Sequence, residues 1–108
     1  MGWRNTTLTI LETETESEEL DLQENGARRI KNLTFICPTT LPEAVVIHLA
    51  DKVGGSYRAL NDGFGNDITL LADKTQVQSG ITAGALKLVA GSAVAGDRTF
   101  LIRGAVQR

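Results

Sequence analysis

The residues best suited to chemistry fall in one short run, Asn61-Asp62-Gly63-Phe64-Gly65-Asn66-Asp67, with four oxygen-bearing side chains and two glycines. Calcium takes oxygen ligands of this kind. The run lacks EF-hand spacing and a closing Glu, and Asn, Asp and Gly are also the standard turn formers. A turn is therefore the expectation and a cation site the alternative. The other reactive types are one cysteine, Cys37, and one histidine, His48. A thiol nucleophile needs a base within hydrogen-bond reach. Leu33 and Phe35 share the face of Cys37 in an extended chain, so the thiol reads as buried and structural. His48 sits between apolar neighbours and reads as a packing or surface residue. No phosphate-cradling glycine loop, zinc-ligand spacing or Ser/His/Asp arrangement occurs. The expectation is a protein that is not an enzyme and takes no cofactor and no metal.

Charge is the second signal. The net charge of −2 conceals a division of the 108-residue chain. Residues 1–27 carry one base, Arg4, and seven acids, a net of −6; residues 28–108 carry ten bases and six acids, a net of +4. Glu12, Glu14, Glu16 and Glu18 recur at every second position. On an extended chain they line one side and repel. They read either as a solvated loop or exposed edge, or as an extended arm that docks on a basic surface. Arg28, Arg29 and Lys31 form a small basic cluster. It reads either as a protected strand edge or as the receiver of a neighbouring copy's acidic arm. Glu12, Glu14, Glu16, Glu18, Arg28, Arg29 and Lys31 are thus the candidate interface residues. Five aromatics and so small a cluster are too little for a nucleic-acid surface.

These residues must be positioned by strands. Alternating apolar and polar residues put every second side chain on one face. The sets are Leu33/Phe35/Cys37, Val45/Ile47/Leu49, Ile68/Leu70/Ala72, Leu86/Leu88/Ala90 and Phe100/Ile102. Thr7–Ile10, Glu18–Leu22, Ser56–Leu60 and Thr75–Ser79 read as shorter strands. Val46 and Ala50 are apolar on the opposite face too, which marks a central strand. Pro42–Lys52 competes as a helix, but Val45-Val46-Ile47 argues against it. Turns fall at Asn25-Gly26, Gly54-Gly55 and Gly91–Asp97. The expected fold is all-β: a single-domain antiparallel β-sandwich or jelly roll of about eight strands. Residues 1–27 form an acidic N-terminal arm or edge strands, and residues 28–108 the body. No apolar run approaches the roughly 20 residues that span a bilayer, and MGWRNTTLT lacks a secretory apolar core, so no membrane partner is expected.

From Leu33 to Gly104 the chain resembles small structural proteins from the virions of tailed bacteriophages. The matching pieces are LTFICPTTLPEAVVIHLADKVGGSYRAL, ITLLADK and ALKLVAGSAVAGDRTFLIRG. A strand ending in proline precedes one ending near a glycine turn, followed by an aromatic and a leucine. A later strand runs into a Ser/Ala/Gly loop, an Asp-Arg pair and a last apolar strand. The turn here is Val53-Gly54-Gly55-Ser56-Tyr57, where many relatives have Asp-Gly. The resemblance implies a β-sandwich present in many copies on a virus particle and made in the bacterial host cytoplasm. It implies a capsid decoration, or cement, protein at the capsid surface, a homo-oligomer partnered by the major capsid protein or other virion proteins. On that reading residues 5–24 reach a neighbouring copy or the major capsid protein, and residues 1–24 can be deleted without unfolding the body. The alternative is a tail, neck or fibre module that binds host-surface glycan through Trp3, Tyr57 and the 61–67 loop.

Overall fold

Most of the period-two alternation of apolar and polar residues resolves into strands. The computed structural model describes residues 2–24, 28–61, 64–78 and 83–107, with backbone alone for 2–4, 23–24, 28–31 and 105–107. Among them are ten strands: β1 (Gly2–Ile10), β2 (Leu20–Asp21), β3 (Gln23–Glu24), β4 (Arg28–Ile36), β5 (Val45–Ala50), β6 (Arg58–Ala59), β7 (Thr69–Leu70), β8 (Thr75–Gln78), β9 (Ala85–Ala90) and β10 (Arg98–Gln107). They form two five-stranded sheets. The first has the order β1-β10-β4-β3, with β8 also on β4; the second has the order β2-β9-β5-β6, with β7 also on β5. Each pairing is antiparallel. The expected all-β sandwich is therefore the fold. Nine of the ten strands fall in segments that read as strands; the two-residue β3 does not, being too short to show alternation.

The sheets close on one core. Leu8, Ile10, Leu33, Phe35, Phe100 and Ile102 project from the first, and Leu20, Val45, Ile47, Leu70, Leu86 and Leu88 from the second. Burial of this apolar surface drives the packing. β5 carries the side chains expected of a central strand: it lies between β9 on one side and β6 and β7 on the other. The proposed helical competitor over Pro42–Lys52 is absent, since Val45–Ala50 is strand.

The acidic segment is a pair of edge strands and not a detached arm. β1 ends one sheet and β2 ends the other. Leu8, Ile10, Leu20 and Leu22 are all buried. The chain crosses between sheets through bridges Ile10–Ser17 and Glu16–Val89. Ser17 locks this crossing. Its N–H donates to the Leu88 carbonyl and its Oγ accepts from the Leu88 N–H, each at 2.9 Å. The hydroxyl donates in turn to the Glu18 carbonyl at 2.9 Å. The expectation that residues 1–24 can be deleted without unfolding the body is opposed by Leu8, Ile10, Leu20 and Leu22, which face the core.

Gly84 marks a second close contact. Its carbonyl accepts from Leu22 N–H and its own N–H donates to the Ala50 carbonyl, both at 2.9 Å. A Cβ here would lie 1.9 Å from the Asp51 carbonyl oxygen. Backbone cannot swing aside as a side chain can, so only glycine fits.

Candidate interaction surface

The registers fix where the two charged groups stand. β1 runs from Gly2 opposite Val106 to Ile10 opposite Arg98. β4 begins with Arg29 opposite Gln107 and ends with Ile36 opposite Leu101. Arg28 and Arg29 therefore lie at the Gly2 end of the first sheet, and the acidic turn after Ile10 lies at the other end. Within one chain the two groups do not meet. Glu24 and Gln23 are the cross-strand neighbours of Arg28 and Arg29. Lys31 falls where the β4–β10 register shifts, between the pairs Asn32–Ala105 and Ile30–Val106. Such a bulge locally twists its strand.

The four alternating glutamates do not share one role. Glu12 and Glu14 stand exposed on the turn. That turn is held by its backbone: Glu12 N–H donates to Asp97 Oδ1 at 2.8 Å, and Thr13 N–H to the Val94 carbonyl at 2.9 Å. Thr13 adopts a φ of 70°, a left-handed conformation that is costly for a β-branched residue. Glu16 pairs with Lys87. Glu18 Oε1 accepts the Thr9 N–H at 3.1 Å. The period-two run is thus broken by a turn, and its carboxylates do not line one edge.

Glu16 leads to a cluster that sequence reasoning did not assemble. On the outer face of the second sheet, Lys87 of β9 is directly opposite His48 of β5. Lys87 Nζ lies 4.6 Å from the centre of the Tyr57 ring, a cation–π contact. The Tyr57 hydroxyl donates to Glu19 Oε2 at 2.6 Å, and Gly54 N–H donates to the same oxygen at 2.6 Å. The Gly54-Gly55 turn expected from sequence is therefore tied down by a carboxylate 35 residues upstream. Only the through-space contact joins these residues, which is why no spacing announces them.

The bonds from Tyr57 and then Gly54 hold the Glu19 carboxyl below its usual range. Its contribution is present above the usual carboxylate range and lost as pH falls below it. Burial, then the hydrogen bond and charge of Glu19, push the Tyr57 hydroxyl well above the usual phenol range. His48 is pushed down by burial and by Lys87, against the pull of Asp67 and Glu16, which favours the neutral imidazole. Tyr57 is the chain's one tyrosine, so absorbance near 295 nm should read it alone. We expect it to ionise well above free tyrosine, with a lower midpoint in Glu19→Gln that stays raised by burial. A wild-type protein titrating like free tyrosine, or an unchanged midpoint in the variant, would contradict this network.

Cys37 is buried and free, and burial raises its thiol. It belongs to the core whereas His48 is on an outer face, so the two do not form a nucleophile and base. The 61–67 loop is closed by the Asn61–Asp67 bridge. Gly65 takes the turn's left-handed φ of 94° and donates its N–H to Asn61 Oδ1 at 3.1 Å. This is turn chemistry of the expected kind; Asp62 and Gly63 lie outside the described residues. Among the described residues no group of three metal-ligating side chains comes together. Phe64 is 90% exposed on this loop. The side chain of Trp3 lies outside the described residues.

The outer face of the first sheet is apolar and threonine-rich. Leu101 faces Ile36, and Val77 faces Thr34 on the same side. They are 40%, 41% and 69% exposed. Thr7, Thr34 and Thr75 flank them in register. Contiguous exposed apolar residues of this kind mark contact surfaces.

No family model and no curated protein matches the sequence. Solved structures do match. YomS, an SPBc2 prophage-derived protein, superposes with a TM-score of 0.62 over 99% of this chain and 96% of that one, at 19% identity. The metallopeptidase IMPa from Pseudomonas aeruginosa, solved in complex with an O-glycopeptide, matches with a TM-score of 0.55 at 18% identity. That match covers 94% of this chain and 12% of that one. At these identities the likeness establishes the fold.

Proposed function

We propose that this chain is a non-enzymatic structural protein of a tailed-phage virion, a decoration protein that binds the major capsid protein and neighbouring copies on the capsid surface. The observation that carries the reading is the end-to-end match to the prophage-derived YomS. The virion-protein resemblance of Leu33–Gly104 supports it independently. The surfaces suit contact work: a threonine-rich apolar face on one sheet, and an acidic turn at the end of the first sheet opposite Arg28 and Arg29. Each copy needs only a modest contact, because repetition by capsid symmetry multiplies weak binding into avidity. Purified protein mixed with heads that lack it should co-sediment and saturate at a fixed number of copies per head. Leu101→Glu, which sets a charge in the apolar face while keeping the fold, should lower that binding at least tenfold. Protein left wholly in the supernatant would overturn the reading.

A second reading is favoured by Phe64, an exposed aromatic beside Asn61, Asn66 and Asp67. Sugars stack on such rings, and IMPa was solved with an O-glycopeptide. A fibre or neck module binding host-surface glycan would give saturable glycan-array signals that Phe64→Ala removes. A decoration protein would give none.

A further inference from the structure

β1 ends the strand order of the first sheet. Beyond the single Ile10–Ser17 bridge at its far end, no described strand pairs with its outer edge. Two contacts settle which groups face that edge. Thr9 N–H donates sideways to Glu18 Oε1, away from β10. Thr9 Oγ1 also lies 3.1 Å from Thr99 Oγ1, the close approach of a pair that exchanges no backbone hydrogen bonds. The β1–β10 register is unbroken from Gly2 to Ile10. Trp3, Asn5 and Thr7 therefore turn their backbone N–H and C=O groups outward as Thr9 does. Exposed edges are ordinarily blunted by proline, bulges or charge. Here Thr9 is covered by Glu18, while Trp3 to Thr7 carries no proline, no acid and one base.

We propose that this edge pairs antiparallel with the same edge of a second copy, two-fold symmetric about Asn5. Asn5 then faces Asn5, and Trp3 faces Thr7 on both sides of the axis. These three facing pairs exchange about six backbone hydrogen bonds, and the ladder stops where Glu18 already occupies Thr9. Arg4 meets Thr6, so no like charges stand opposed. The two five-stranded sheets become one continuous sheet through an isologous contact. A second copy is the fitting occupant because antiparallel pairing reverses the charged ends. Antiparallel pairing brings the turn with Glu12 and Glu14 of each copy to the same end of the joined sheet as the Arg28–Lys31 stretch of the other. An acidic and a basic end, apart within one chain, thus share one end of the joined sheet. This contact concerns the isolated protein and stands apart from any role on a particle.

Sedimentation velocity on the full chain tests it. Wild type should dimerise, and the dimer should weaken at least threefold when salt rises from 50 to 500 mM, since the screening length falls from roughly 14 to 4 Å in that range. Asn5→Lys sets two ammonium groups face to face across the axis. Asn5→Pro removes an outward N–H that the β10 ladder does not use. Both variants should be monomeric with wild-type circular dichroism, and the Thr7 amide, slow to exchange in the wild-type dimer, should exchange rapidly in them. If Asn5→Pro does not fold, Asn5→Lys alone decides. A wild type monomeric at every soluble concentration would overturn the proposal. So would a dimer that survives in Asn5→Lys, which would place the contact elsewhere. A monomer whose Asn5 variants lose particle binding would assign the edge to a capsid strand instead, and would equally overturn it.

Discussion

A chain that begins at residue 25 is expected not to fold. Deleting residues 1–24 removes β1, β2 and β3, and with them four buried side chains: Leu8, Ile10, Leu20 and Leu22. Each fully buried aliphatic side chain contributes about 1.5–3 kcal/mol, so four contribute about 6–12. Domains of this size hold about 5–15 kcal/mol in total. The deletion also strips the Ser17 bonds from Leu88 and bares one edge of β10 and one of β9. The truncated chain should show no cooperative thermal transition and a collapsed amide dispersion by NMR. A folded, cooperatively melting product would mean that the acidic segment is an appendage after all.

Phe35→Ala has the next largest expected effect. Phe35 is fully buried on β4, opposite Ile102 of β10 and Gln76 of β8. Its ring fills space between the sheets, and β4 is paired on both sides, which limits collapse around the gap. Removing it should cost about 3–5 kcal/mol through lost transfer energy and the cavity left behind. In urea the midpoint should fall with little change of slope, because the surface exposed on unfolding is nearly the same. Val77→Ala, at a largely exposed site on neighbouring β8, should stay within about 0.5 kcal/mol. Equal effects at the two sites would contradict the assignment of inner and outer faces.

The burial of Phe35 was legible in the sequence; the exposure of Val77, an apolar residue between two glutamines, was not. Leu33 and Phe35 flank Thr34, Leu86 and Leu88 flank Lys87, Phe100 and Ile102 share one face, and all six are buried. Strand alternation is a local property, so a linear reading finds it. The role of the acidic segment was half legible. Leu20 and Leu22 alternate like any strand, but the charges of Glu12 to Glu18 dominate the composition and favour an arm. Whether such a segment docks on its own body depends on long-range pairs such as Glu16–Lys87, which no window of sequence contains. The same limit hides the Tyr57–Glu19–Lys87 cluster, whose members are brought together by three separate stretches of chain. Gly84 is similarly silent: its requirement comes from the Asp51 carbonyl 1.9 Å from where a Cβ would stand.

Edge strands were one of the two readings of residues 1–27, but which edge of β1 stays open was not legible. An edge is a property of sheet order, and sheet order follows from the β1–β10 and β10–β4 pairings. Those join the two ends of the chain and then its middle. The free edge and the separation of acidic and basic ends both emerge from that topology.

The most direct test of a virion role is an image of the phage particle carrying this protein with a compact label at its C-terminus. Label density repeating with icosahedral symmetry over the outer capsid surface is the predicted result. Label confined to the tail, neck or fibres would contradict the decoration role, and particles without label would contradict a structural role in the virion altogether.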